Sequence, residues 1–373
     1  MSNETSTELV VQPAPHITTS MSKNRLMQYT FFAILAVTIV SAATWSSVIT
    51  PSGWNLGVTV AVGALIAVGI AVLVDLLIGK VASDSEVNTW SAAVFGLIVI
   101  NCFSLGFPGM AIGMVNDLPV EAPFAFYYIA LISLVGVVLF KKVMSLAGRK
   151  LVNPAAAAKF LVLLPTTAVT LLTPWHGESL MAPSLAGPIG NPSDLLPIGG
   201  NGLASFGSYL QGCYAAPDMM TNLPSIESLM IVLKYHGWVG GASSIAVIVA
   251  GIALFVLARK YIKWKITVSY IVAIAVMSLI FSFAFGDGDL ITRLLFTVFM
   301  GSSIFLAFFM ATDPATTPYN GLGQIIFGVG LAVITILIQT FMGFFGGSLL
   351  ALLIMNLAVP LIDRISIHKP FGR

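Results

Sequence analysis

Five polar side chains stand where the surrounding sequence is otherwise suited to lipid. Asp75 lies in VLVDLLIGK, Asn101 in IVINCFSLGFPG, Asp313 in FFMATDPATTP, and Asn356 and Asp363 in MNLAVPLIDR. Ionisable groups inside a bilayer are expensive, and they commonly line ion paths or proton relays. Asp75, Asn101, Asp313 and Asp363 are therefore ion-path candidates. Each also has a plainer reading. Asp75 is about one helical turn from Lys80 and could pair with it. Asp313-Pro314 is a natural helix stop, and Asp363 adjoins Arg364. Asn101 is followed by Gly106, Phe107, Pro108 and Gly109, which predicts a broken span. Broken spans are tolerated only where protein or a cavity satisfies the freed backbone groups. A second chemical focus is PDMMTNLPS at 217–225, a hydroxyl-bearing stretch in a long polar loop between apolar blocks. Metal chemistry has no such focus. Cys102 and Cys213 make neither a disulfide framework nor a metal site, and His16, His176, His236 and His368 are scattered without ligand spacing.

The elements that must position these groups follow from composition. Of 373 residues, 57% are hydrophobic and only 9% charged, against roughly 25% charged in a soluble domain. So few charges cannot cover a soluble surface of this size, and the apolar blocks must face lipid. A spanning helix takes about 20 mostly apolar residues. Ten segments qualify: 29–49, 55–79, 91–113, 122–140, 154–173, 239–258, 266–285, 290–311, 323–343 and 346–362. The expected fold is an all-α polytopic membrane protein of about ten transmembrane helices. Its parts are an N-terminal tail 1–28, a five-helix half 29–173, a loop 174–238, a second half 239–363 and a C-terminal tail 364–373.

Charge sets the orientation. Ten spans place both termini on one side, and fifteen of the seventeen Lys and Arg residues fall there, Lys159 counted among them; only Lys234 and Arg293 lie elsewhere. Basic residues mark the cytoplasmic side, so both termini are expected in the cytoplasm and loop 174–238 outside. That loop is rich in Gly, Pro, Asn and Ser, and unstructured segments of this length are often functional. It separates two five-span halves, an odd number that would make any internal duplication inverted. LVNPAAAAKF (151–160) and MATDPATTPY (310–319) share an Asn/Asp-Pro turn followed by small residues. No GxGxxG in a strand–turn–helix context and no cysteine cluster occurs, so nicotinamide or iron–sulfur chemistry would have to come from partners. Nothing points to nucleic acid.

Four segments carry a family resemblance: FMATDPATTPYNGLGQIIFGVG, LLIMNLAVPLIDR, LVNPAAAAKF and RKYIKWKITVSY. They resemble the D subunit of Rnf electron-transport complexes and, less closely, the B subunit of sodium-translocating NADH:quinone reductase, in order and spacing from about residue 25 to 365. The resemblance implies a membrane subunit of a redox-driven Na+ or H+ pump. It would work with other membrane and peripheral subunits that carry iron–sulfur and flavin centres. It also implies FMN joined by a phosphoester to a loop threonine, within a pattern like Ser/Thr-x-Ala-Thr-Pro-Leu, attached by a flavin transferase. Aligning Leu223 with that pattern puts Thr221 at the flavin position, with Asn222 in place of Pro and Met220 in place of Ala. Aligning Asp218 with the acid upstream of the pattern puts Pro224 there, which cannot carry the bond. Thr221 is the only threonine between 174 and 238; Ser225 is the fallback hydroxyl, and Asn222 could orient the cofactor. A second, non-covalent flavin (riboflavin) is implied among the helices near the inner side, with the 153–157 turn and segment 312–317 as places to look. A flavin-free channel or secondary carrier, and a purely structural anchor protein, are the competing classes.

Overall fold

A computed structural model describes residues 21–46, 49, 53–81, 87–103, 124–144, 150–163, 238–285, 290–299, 303–341 and 347–366. Thr221, Asn222 and Ser225 lie outside these residues, as does the Gly106–Gly109 stretch expected to break the third span.

Helix runs through the described part of every expected span. The elements are α1 (Lys23–Trp45), α2 (Leu56–Val81), α3 (Thr89–Cys102), α4 (Phe124–Val135, continuing as a π-helix Gly136–Val143), α5 (Pro154–Val162), α6 (Ser244–Leu257), α7 (Trp264–Phe285), α8 (Leu290–Phe299), α9 (Ser303–Phe305, continuing as a π-helix Leu306–Met310), α10 (Gly321–Phe341) and α11 (Gly347–Ser366). Among the described residues, six helices are long and apolar enough to cross a membrane, and Thr89–Cys102 and Ser244–Leu257 are shorter apolar helices. Among the described residues the extended pairing is a single bridge, Ile49 to Asn55.

Local sequence explains the starts. Ser22 Oγ accepts from Arg25 N at 3.2 Å, and Asn88 Oδ1 accepts from Ser91 N at 2.9 Å. Asn153 caps α5, accepting from Ala155 N at 3.1 Å and Ala156 N at 3.2 Å, with Pro154 at the first helical position where its missing N–H costs nothing. The first span begins six residues earlier than hydropathy suggested, because Lys23 and Arg25 sit in the opening turn behind that Ser22 cap. Outward faces are apolar: Leu65, Leu73, Val249, Val256 and Phe283 are exposed, as lipid-facing side chains should be.

α1, α2, α3 and α4 pack as one group, and α7, α10 and α11 as another; α1 with α6, and α5 with α11, join the two. Without a hydrophobic drive between helices in lipid, close backbone approach supplies the packing. Gly328 in α10 shows how close: a Cβ there would lie 2.0 Å from Ser269 Oγ and 2.7 Å from the Ile266 carbonyl of α7. The two π segments were not legible in the sequence. Each is the end of a span that carries chemistry-bearing residues, Lys141 and Lys142 in the first and the approach to Asp313 in the second.

Candidate functional site

The two proline turns meet. Asn153 Nδ2 donates to the Met310 carbonyl at 3.3 Å. Asn356, from the middle of α11, closes the contact on both sides: its Oδ1 accepts from Asn153 N at 2.9 Å, and its Nδ2 donates to the Thr316 carbonyl at 3.0 Å. Buried backbone that leaves the helix must be satisfied by protein, and one amide side chain serves two such turns at once. In a five-plus-five plan the turn after the fourth span would pair with the one after the ninth. The likeness of 151–160 to 310–319 therefore marks a shared place in the interior.

Asp313 shapes its own turn. Its Oδ1 accepts from Ala315 N at 3.0 Å, its Oδ2 from Thr316 Oγ1 at 3.3 Å, and its carbonyl from Thr317 Oγ1 at 2.6 Å. From the loop before α7, Lys263 Nζ donates to the carbonyls of Pro314 (3.0 Å) and Thr317 (2.8 Å) and to Thr317 Oγ1 (2.8 Å), and lies 5.1 Å over the Tyr319 ring. Asp363 fastens the far end of the same segment, its Oδ1 accepting from Tyr319 N at 3.2 Å. This carboxylate thus reaches a backbone N–H 44 residues away.

Beside the crossing lies a cleft with a volume of about 130 Å³. The turns contribute Asn153, Pro154, Thr312 and Asp313 to its wall, and Phe95, Phe308, Phe309 and Tyr261 give it aromatic faces. Lys141 and Lys150 also line it, so its charged rim is mostly cationic. Small-molecule sites join an apolar lining to a few convergent polar groups; this cleft has both.

Asp75 is fully buried, and its partner is not Lys80, which is exposed. The carboxylate is 2.9 Å from Lys142 Nζ and 3.6 Å from Lys141 Nζ, and it accepts from Asn88 N at 3.1 Å. Both lysines lie in the π-helical end of α4, and their long side chains both reach the carboxylate on α2.

Asn101 lies at the end of α3, fully buried. It donates through Nδ2 to Thr38 Oγ1 at 2.6 Å and to the Leu97 carbonyl at 2.8 Å. Among the described residues its Oδ1 has no hydrogen-bond donor. Gly240 lets the 3-10 turn Val239–Gly241 press against it: a Cβ there would lie 2.8 Å from both Asn101 Cβ and the Phe305 ring. Next to it, Lys159 Nζ donates to the Cys102 carbonyl and lies 5.0 Å over the Trp238 ring. The charge tally had placed Lys159 on the cytoplasmic side; it is buried inside α5, and its ammonium caps the end of α3. Val239 N donates to the Phe103 carbonyl at 2.9 Å, completing that cap.

Long apolar helices, buried lysines and paired proline turns define a multi-pass α-helical membrane protein with a polar interior. The chain belongs to the NQR2, RnfD, RnfE family, whose model matches residues 10–372. It is 30% identical over 374 residues to the D subunit of an ion-translocating oxidoreductase complex from Shewanella amazonensis, covering 97% of each chain. It is 27% identical to the D subunit of the Na(+)-translocating ferredoxin:NAD(+) oxidoreductase complex from Acetobacterium woodii, covering 98% of this chain and 95% of that one. To the proton-translocating counterpart of Clostridium ljungdahlii it is 25% identical, covering 97% and 96%.

Proposed function

We propose that this chain is the D-type membrane component of an Rnf-type ion-translocating oxidoreductase. It relays electrons through FMN esterified to Thr221, with electron transfer coupled to movement of Na+ or H+. The observation that carries this reading is the similarity, over 97% of both chains, to the D subunit of such a complex. In this reading both termini are cytoplasmic and loop 174–238 is extracytoplasmic. Partner subunits bring iron–sulfur and further flavin centres, and a flavin transferase loads Thr221.

The cleft beside the proline turns would hold a second, non-covalent flavin (riboflavin). A bound flavin supplies one-electron transfer. Asn153 and Thr312 would set its orientation through hydrogen bonds, Phe95 and Phe308 would flank it, and Lys141 and Lys150 would favour negative charge at its polar edge. The energetics are feasible: moving one charge against 100 mV takes about 2.3 kcal/mol, comparable to what one electron releases over a similar drop in potential.

Two tests separate this reading from a flavin-free carrier or an anchor. The purified chain run on a denaturing gel should fluoresce under ultraviolet light, and Thr221→Ala should abolish that band. Fluorescence that survives the change moves the attachment to another hydroxyl, Ser225 first, to be located by mass mapping; a wild-type chain with no flavin mass ends the electron-relay reading. For coupling, Asp313→Asn keeps the Oδ1 acceptor for Ala315 N but removes the charge. Redox-driven ion uptake by reconstituted vesicles should fall severalfold with the covalent flavin retained. Undiminished uptake would reduce Asp313 to its turn-shaping part. Asn101, whose Oδ1 is unsatisfied among the described residues, is the companion position for the same assay.

A further inference from the structure

Positive charge gathers at one edge of the cleft beyond what the nearby acids balance. Asp75 is shared between Lys142 Nζ at 2.9 Å and Lys141 Nζ at 3.6 Å. Lys141 also lines the cleft, together with Lys150 and Asp313. Three ammonium groups therefore meet two carboxylates, and one positive charge is left over. The contact at 3.6 Å is an ion pair too long for a hydrogen bond. An ammonium carries three N–H donors, and among the described residues Lys141 Nζ, though buried, finds no hydrogen-bond acceptor. A buried charge in that state calls for a further anion.

Neighbouring polar groups of the same wall are already engaged. Thr30 Oγ1 donates to the Leu26 carbonyl at 2.9 Å, and Thr312 Oγ1 to the Phe308 carbonyl at 2.8 Å. The Asp313 carboxylate accepts from Ala315 N and Thr316 Oγ1 within its own turn. The start of α5 reaches the wall through Pro154 and Ala155, and so brings the positive end of that helix's dipole. Beside the lysines along the chain, the side chains are apolar and exposed: Val138, Leu139 and Val143 around Lys141, and Leu151 after Lys150. A ligand that suits both sets of groups has an anionic head and a hydrocarbon tail.

We propose that Lys141 and Lys150 bind the phosphate of an anionic phospholipid, whose acyl chains leave the cleft along Val138, Leu139, Val143 and Leu151. The phosphate supplies the missing negative charge and several acceptor oxygens at once, which one carboxylate shared between two lysines does not. Basic pockets between membrane helices on the cytoplasmic side receive lipid headgroups in this way. The inference rests on the orientation proposed above for its leaflet alone, and it is independent of the flavin on Thr221. By bridging the end of α4 and the segment that leads into α5, the lipid would hold the cleft's edge together.

The test is native mass spectrometry of the purified complex titrated with dioleoyl phosphatidylglycerol, with phosphatidylcholine of the same chains and inorganic phosphate as comparisons. Wild type should hold phosphatidylglycerol about tenfold more tightly than phosphatidylcholine. Lys141→Gln and Lys150→Gln should each weaken that binding by about tenfold. Lys141→Gln leaves Asp75 with Lys142, so the fold is kept, and Lys141→Arg should restore the affinity. Lys80→Gln, at an exposed lysine outside the cleft wall, should change nothing. Wild-type affinity for phosphatidylglycerol in both Gln variants overturns the site. Inorganic phosphate that is lost in the Gln variants, yet is not displaced by phosphatidylglycerol, keeps the anion site and makes free phosphate its ligand. Loss of acid-extractable flavin from variants that keep their lipid overturns the proposal and assigns both lysines to the flavin. A complex that binds phosphatidylglycerol through these lysines but shows no in-gel flavin fluorescence keeps the site and removes the relay.

Discussion

Asp75→Ala should cut the yield of folded protein extracted from membranes by more than tenfold. The change removes the carboxylate 2.9 Å from Lys142 Nζ and 3.6 Å from Lys141 Nζ, and leaves both buried ammonium groups without it. Breaking a buried pair by deleting one partner typically costs about 3–5 kcal/mol, mostly for stranding the other charge. The Asn88 N–H, which donates to Asp75 at 3.1 Å, loses its acceptor as well, and with it the fastening of the α2–α3 connection. Replacing the group by well-packed apolar residues is often neutral. Asp75→Leu combined with Lys142→Met should therefore recover much of the loss. Size-exclusion profiles and thermal inactivation in detergent measure both. A single Asp75→Ala chain as stable as wild type would mean that the lysines find other support in the π-helix.

Asn356→Leu has the next largest expected effect, on function more than on yield. The side chain preserves volume but removes the acceptor for Asn153 N and the donor to the Thr316 carbonyl. Two buried backbone groups at about 1–3 kcal/mol each give a loss of roughly 2–6 kcal/mol, concentrated where the two proline turns touch. Asn153 and Asp313 both line the cleft, so its polar wall should shift with them. If the proposed flavins are present, the expected phenotype is a complex that keeps the covalent flavin, loses the non-covalent one on purification and transfers electrons at least tenfold more slowly. Flavin extraction by acid, which releases only non-covalent cofactor, reads the difference. Wild-type flavin stoichiometry and rate in Asn356→Leu would reduce the crossing to a packing contact.

Much of this architecture could be read from the chain because its signals are local. Apolar length located the spans, and Asn153-Pro154 announced a capped helix start. Asn101 and Asp313 stood out as polar residues in apolar surroundings. What escaped was non-local. Asp75 was matched with Lys80, its neighbour along the helix, whereas its partners are 66 and 67 residues away on an element whose π geometry leaves no composition mark. Lys159 was counted as a cytoplasmic charge because hydropathy cannot distinguish a lysine at a helix end from one capping another helix inside the bundle. Asn356 was noticed, yet its task needs two turns from opposite halves of the chain to be known first.

The clasp of Asn153, Met310, Thr316 and Asn356 also bears on motion. Turns from the two groups of helices are stitched together there through one side chain, with Lys263 and Asp363 tightening the same knot from neighbouring segments. A joint so fastened acts as a fulcrum. Any relative tilting of the helices it joins would displace this joint least and the segments farthest from it most.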